Sequence, residues 1–166
     1  MHRILVIIDG ISEWTGKAVS FLNIPIMLVI VYEITMRDVL NLPQIWTHEL
    51  TCYFFAALFM IGGAHTLRYN GHVNVDIVVS RLSSRKRALI DVITFPMILL
   101  ICGVIIWKSG LATIEAIRFG FKYGSAWAPP MWPLRGAVAL GAVLVMLQAL
   151  AKLSRDISTA ISGKRL

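Results

Sequence analysis

Residues 50–67 read LTCYFFAALFMIGGAHTL and contain no Asp, Glu, Lys or Arg. As an α-helix this stretch would be about 27 Å long, since each residue adds ~1.5 Å of rise. The hydrocarbon core of a bilayer is about 30 Å thick, and it offers no hydrogen-bond partner to an exposed backbone. The stretch is therefore predicted to be a transmembrane helix.

Three further stretches have a similar length and character, and each carries one charged side chain close to an end. They cover about 18–36, 89–107 and 134–151. Pro25 and Pro96 fall inside two of them, where bends are expected. The sequence thus predicts an all-α integral membrane protein, a single domain over residues 1–166 with four transmembrane helices.

The composition excludes the common soluble classes. Apolar residues make up 57% of the chain and charged residues 15%, against about 25% charged in an average soluble domain. Too few polar residues remain to cover a soluble core, and the disordered and coiled-coil classes are improbable for the same reason. The two cysteines fall in apolar stretches and are predicted to be buried thiols.

The net charge of +7 is interpreted as reflecting the orientation of the chain in the membrane rather than a nucleic-acid-binding surface. Most of the 16 Lys and Arg residues fall in the N-terminal tail, in the segment after the second span or in the C-terminal tail. Short loops rich in Lys and Arg stay in the cytoplasm. Both termini are therefore predicted to be cytoplasmic.

Two connecting segments, about 73–83 and 110–122, are predicted to be short amphipathic helices at the membrane surface or against a partner. Apolar residues recur in both at the three- and four-residue spacing of a helix face. These positions are Val75, Val78, Val79 and Leu82 in the first segment, and Leu111, Ile114, Ile117 and Phe121 in the second. The N-terminal tail hints at a third such helix.

Residues that could carry catalysis, a metal or a cofactor do not converge. His48 and His65 are 17 positions apart, about 25 Å along a helix, so they cannot hold one haem iron. The scattered His, Cys and acidic residues lack the spacing of a zinc site. No catalytic, cofactor-binding or metal-ligating residue is predicted.

Glu33 is the acid inside a predicted span that could mark a transport path. It lies close to the outer end of the span, and Arg37 follows four residues later. That spacing favours a local ion pair, although an ion or proton site and a contact with a partner subunit stay open.

A more specific pattern begins at the second span. It consists of Trp46 and Glu49 at the start of the span, Arg68 after it, and the segment GHVNVD over residues 71–76. This pattern resembles the DctQ-type small membrane subunit of TRAP (tripartite ATP-independent periplasmic) transporters. The chain departs from the family at His48, where a glutamate is common, and at Asn74, where a basic residue is common.

The candidate subunit-interface or structural residues are Trp46, Glu49, Arg68, Gly71, His72 and Asp76. Asn70 and Gly71 form a turn signal after the span, and His72 and Asp76, four apart, can face each other on the following helix. A local structural role and a direct contact with a partner subunit are both open for these residues.

The resemblance implies a scaffold subunit of a sodium-coupled importer of organic acids in the inner membrane of a bacterium or archaeon. Its expected partners are a large membrane subunit on a separate chain, a periplasmic substrate-binding protein and membrane lipids, with no nucleic acid. The complex would use the sodium gradient, and this chain would bind neither sodium nor a cofactor. The alternatives are a self-sufficient small oligomeric carrier that works through Glu33, and a haem-free membrane anchor of another complex.

Overall fold

The computed structural model describes residues 2–69 and 84–162, and within these ranges the chain is almost entirely helical. The helices are α1 (His2–Ser20), α2 (Asn23–Ile34) with a π-helical turn (Thr35–Val39), α3 (Ile45–Arg68), α4 (Ser84–Phe119) and α5 (Trp132–Ser162). Four helical stretches are long and apolar enough to cross a membrane, which confirms the predicted fold class. They are Leu5–Val39, Ile45–Arg68, Ile93–Phe119 and Trp132–Arg155.

The first span begins earlier than the sequence indicated. α1 runs alongside α3, where Gly16 packs directly against the His65 side chain, and an added Cβ would lie 2.7 Å from its Nδ1. The apolar helical stretch that could form the first span runs from Leu5 to Val39, so it takes in most of α1 as well as the residues 18–36 that the sequence predicted. The helix is interrupted at Phe21 and Leu22, because Pro25 has no N–H to donate to the Phe21 carbonyl, which accepts the Ile24 N–H at 3.2 Å instead.

The predicted third span at 89–107 and most of the predicted surface helix at 110–122 lie on one continuous helix. α4 continues without interruption from Ser84 to Phe119, through Pro96, and ends where Gly120 adopts a φ of 63°. A glycine in this conformation ends helices because it carries no Cβ to clash. The apolar face of residues 111–121 thus belongs to the end of a transmembrane helix, where Ala116 packs inward at 1% exposure. The predicted helix at 73–83 lies outside the described residues.

α5 is the central helix of an open row. It packs against α4 on one side and α3 on the other, and α1 and α2 pack on α3, with α1 also reaching α5. Gly141 allows close approach of α5 to α3, since a Cβ there would collide with the Met60 backbone. Most of the buried residues are small, with Ile26, Leu67 and Gln148 as the larger ones, and many apolar side chains of α2 and α4 are exposed.

The two cysteines differ. Cys102 is buried in α4, as predicted, but Cys52 is exposed on α3, so the prediction of a buried thiol there is wrong. An apolar stretch of a membrane-spanning helix can be exposed to hydrocarbon, so its composition does not require that every side chain be covered by protein.

The segment between α4 and α5 folds back on itself. Lys122 and Pro130 form an isolated antiparallel bridge, and the Met131 N–H donates to the Phe121 carbonyl at 2.9 Å. The Tyr53 hydroxyl of α3 donates to the Pro130 carbonyl at 2.5 Å. This segment is therefore tied to the start of α3, which we call the Thr47 end of the helices, and the opposite end is the Arg68 end.

Candidate functional site

The predicted interface residues on α3 lie at opposite ends of that helix. Trp46 and Glu49 are in its first turns and Arg68 is its last residue, so Trp46 and Arg68 are about 33 Å apart along the helix axis. The structure does not bring them together into one site. Gly71, His72 and Asp76 lie outside the described residues.

Trp46 ties α3 to α2. Its ring centroid lies 5.6 Å from that of Tyr32, and its indole N–H donates to the Gln44 side chain at 3.3 Å. Glu49, one turn further along, keeps one carboxylate oxygen buried, with no hydrogen-bond partner among residues 2–69 and 84–162. Trp46 thus joins helices within the chain, whereas Glu49 retains an unused acceptor.

The predicted ion pair between Glu33 and Arg37 is wrong. The Glu33 carboxylate accepts the Thr47 hydroxyl at 2.5 Å, and Arg37 pairs with Asp38 at 2.9 Å. The physical reason is the π-helical turn that begins at Thr35, because an i to i+5 turn rotates Arg37 away from the position that an α-helix would give it. Glu33 therefore helps to fasten α2 to the start of α3.

At the other end, a set of polar side chains joins three helices. We call it the Arg68 cluster: it comprises Asp9, Ser12, Glu13, Arg68, Gln148 and Arg155. Its α1 members share one helix face, which packs on α3 and α5, while Ile7 and Trp14 are exposed on the opposite face at 61% and 73%. α1 thus turns its polar face inward and its apolar face outward.

Arg68 provides the link between α3 and α1. Its guanidinium donates to the Glu13 carboxylate at 2.6 Å and to the Asp9 backbone carbonyl at 2.9 Å. Glu13 also pairs with Lys17, one turn further along α1, at 2.7 Å. The sequence placed Arg68 after the second predicted span, and the structure shows that it links α3 to α1.

Asp9 and Gln148 provide the link between α1 and α5. The Asp9 carboxylate accepts from Arg155 at 2.5 Å and from the Gln148 amide at 3.0 Å. Gln148 is fully buried, and its carbonyl oxygen accepts the Ser12 hydroxyl at 2.9 Å. Buried polar groups need such partners, so these bonds hold α1 in one position on α5.

Sequence reasoning missed most of the Arg68 cluster. Arg155 entered only as one of the basic residues of the C-terminal tail, and Asp9, Ser12, Glu13 and Gln148 were not singled out. Two signals were available: the polar residues of α1 recur at helical spacing, and Gln148 is an amide inside the fourth predicted span. Neither signal identifies the contacts, because Gln148 binds Ser12 and Asp9, which are more than 130 residues away along the chain.

The chemistry of the cluster is structural. In the parts of the chain that the structure describes, no three His, Cys, Asp or Glu side chains converge on a possible metal position. Both cluster carboxylates are held by arginine, and each bond joins two different helices or neighbouring turns. The arrangement binds helices together and presents no group poised for proton transfer or nucleophilic attack.

Residues 26–159 match the family described as the DctQ component of tripartite ATP-independent periplasmic transporters. The chain belongs to the DctQ family. It is thus a small membrane component of a TRAP transporter, and the predicted resemblance is confirmed. α1 and its cluster residues precede the part of the chain that matches the DctQ family.

A curated relative gives the same assignment. The chain is similar to the sialic acid TRAP transporter permease protein SiaT of Haemophilus influenzae (strain 86-028NP), with 26% identity over 113 residues. This match covers 68% of the present chain but 18% of the relative. The DctQ chain thus corresponds to a small part of a much longer permease.

Proposed function

We propose that this chain is the scaffold subunit of a sodium-coupled, binding-protein-dependent importer of organic acids. It would brace a large membrane subunit that is a separate chain and that holds the substrate and ion sites. The observation that carries the proposal is the Arg68 cluster, because its charged side chains hold α1, α3 and α5 together.

The state of Glu33 favours a scaffold over an independent carrier. A carrier of this size would need an acid that exchanges its proton or ion from both sides, which places it near the middle of the membrane. Glu33 instead accepts a hydrogen bond from Thr47 and lies six residues, about 9 Å, from the end of the span at Val39. It has the contacts expected of a residue that fixes one helix to another.

The remaining parts of the system follow from the family. A periplasmic protein would capture the acid, the large subunit would move it, and the sodium gradient would drive uptake without sodium or a cofactor binding to this chain. Carboxylates, including sialic acid, are the proposed substrates because of the similar SiaT permease. The proposed location is the inner membrane of a bacterium or archaeon, with both termini in the cytoplasm.

Reconstitution tests this proposal. Proteoliposomes would contain the chain alone, the large subunit alone or both, with the binding protein outside and an inward sodium or potassium gradient. Uptake of a panel of radiolabelled organic acids is expected only when both membrane subunits, the binding protein and sodium are present. Substantial uptake by the chain alone, or full uptake by the large subunit without it, would refute the scaffold role.

A further inference from the structure

Lys108 is a charged residue in the interior of a transmembrane helix. The sequence placed it just beyond the end of a predicted span at residue 107, but the structure continues the span to Phe119. Lys108 is 11 residues before that end and 15 residues after Ile93, or about 16 Å and 22 Å along the axis. Its position within the span is therefore a finding of the structure.

Contacts with the neighbouring helices also place Lys108 far from the Arg68 end of the span. Ile98 lines the same small cavity as Leu67 and Ala149, so it lies at the level of the Arg68 end. Lys108 is ten residues further along α4, about 15 Å from that level. A lysine side chain extends about 6 Å, so its ammonium group reaches neither end of the span by extension alone.

Lys108 faces away from the rest of the chain. Met97, Val104 and Leu111 follow one another at intervals of seven residues, or two helical turns, and are 69%, 53% and 49% exposed. Lys108 is exposed on the same helix face, four residues after Val104 and three before Leu111. The buried Cys102 lies on the opposite face, toward α5. No side chain in the described ranges forms an ion pair or hydrogen bond with Lys108.

Arg135 is a basic residue whose side chain, unlike that of Lys108, has hydrogen-bond acceptors within this chain. Its guanidinium lies between α5 and α4, donates to the Ala112 carbonyl at 3.1 Å and contacts the Met131 sulfur at 3.4 Å. Lys108, one helical turn from Ala112, has no such arrangement among the described residues. An ammonium group exposed to hydrocarbon is unfavourable, so it requires a compensating acceptor beyond the described residues.

We infer that the exposed face of α4 docks a transmembrane helix of the large membrane subunit, and that this helix carries an Asp or Glu at the depth of Lys108. The inference rests on the proposed function, which supplies the partner. Charge complementarity selects a carboxylate, and the apolar residues on either side of Lys108 offer a surface that another helix can pack against.

A second copy of this chain does not fit the same face. Two copies with the same topology place their α4 helices parallel, so a symmetric contact would set Lys108 against Lys108. Among the described acids, Asp9, Glu13 and Glu33 already bind partners within their own chain. Glu115 is seven residues from Lys108, about 10 Å along α4, and Glu49 lies in the first turns of α3 at the Thr47 end, so neither offers a carboxylate at the depth of Lys108. A carboxylate at that depth is therefore expected from a different protein.

Co-purification of the two membrane subunits tests the inference. Lys108→Glu is expected to lower the amount of large subunit that is retained by the tagged chain at least tenfold, and Lys108→Gln to lower it less. Lys122→Glu is the matched control, because Lys122 is exposed beyond the end of α4 and is expected to leave retention unchanged. The thermal stability of each variant chain alone is expected to equal that of the wild type, since no described residue pairs with Lys108.

Two further measurements decide the chemistry of the partner. A photo-crosslinker at position 108 is expected to label a membrane helix of the large subunit, and labelling of lipid alone would overturn the inference. Replacement of one intramembrane acid of the large subunit by Lys is expected to restore retention of the Lys108→Glu chain, and failure at every such acid would overturn it. Full retention of Lys108→Glu would overturn the inference alone, whereas a wild-type chain that retains no large subunit would overturn the proposed function as well.

Discussion

Replacement of Asp9 by Asn is the most direct test of the Arg68 cluster. The substitution keeps the shape of the side chain but removes its charge. The Asp9 carboxylate accepts from Arg155 at 2.5 Å and from Gln148 at 3.0 Å, and its side chain is 20% exposed. The asparagine amide would turn one acceptor into a donor and would leave either Gln148 or Arg155 facing another N–H.

The magnitude follows from these two bonds. A hydrogen bond to a charged group contributes about 1.5–3 kcal/mol, and partial exposure of the pair reduces this value. Asn can keep one of the two bonds in weaker form, so Asp9→Asn is expected to destabilise the chain by about 2 kcal/mol. For a protein of this size that corresponds to a fall in melting temperature of roughly 4–8 °C.

The assay is thermal unfolding of the purified chain in one detergent at one protein concentration. Asp38→Asn is the matched control, because Asp38 pairs with Arg37 and both side chains are 56% exposed. An exposed pair contributes about 0.2–1 kcal/mol, so this control is expected to lower the melting temperature by roughly 0.5–4 °C. If Asp9→Asn shifts the melting temperature no more than Asp38→Asn does, the reasoning is refuted.

A double-mutant cycle separates the Asp9–Gln148 bond from the general effect of each change. Gln148 is fully buried and also binds Ser12, so Gln148→Leu removes both bonds at once. Asp9→Ala, which removes both carboxylate oxygens, and Gln148→Leu are expected to couple by about 1 kcal/mol, since contacting polar groups are not independent. Strict additivity would contradict a direct bond between the two side chains.

Three other changes test separate parts of the structure. Gly141→Ala is expected to destabilise the chain by about 1–3 kcal/mol, because its Cβ would meet the α3 backbone, whereas Gly103→Ala meets nothing within 4 Å and should be neutral or stabilising in the same thermal assay. Tyr53→Phe removes the hydroxyl that bonds the Pro130 carbonyl and is expected to lower stability by about 1 kcal/mol, measured by the same unfolding curves. Glu33→Gln is expected to leave at least half of the sodium-driven uptake by the complete transporter, because the amide can still accept from Thr47; loss of all uptake at normal expression would instead favour a carrier role.

The four spans could be predicted from the sequence because hydrophobicity is a property of each segment by itself. An uncharged stretch such as residues 50–67 must be helical in lipid whatever surrounds it. The limits of the spans were harder to predict. The predicted third span ends at residue 107, just before Lys108, yet nothing in the local sequence ends the helix before Gly120.

For the site residues, too, the sequence predicted which positions matter but not which contacts they make. Trp46, Glu49 and Arg68 were found from their pattern along the chain, and the family match confirmed the resemblance that they indicated. Their contacts did not follow from that pattern. Arg68 binds residues 55 and 59 positions away, and the partner of Glu33 changed from Arg37 to Thr47 because one π-helical turn altered the register.

The sequence by itself determined that this is a four-span membrane protein of the DctQ type, because composition and local motifs need no partner to be recognised. The tertiary structure decided the depth of Lys108, the inward polar face of α1 and the central place of α5 in the helix row. These features depend on the axial position of each helix relative to its neighbour. Those axial positions are set by contacts such as Gly141 against Met60 and Ser12 against Gln148, which join residues that are distant along the chain.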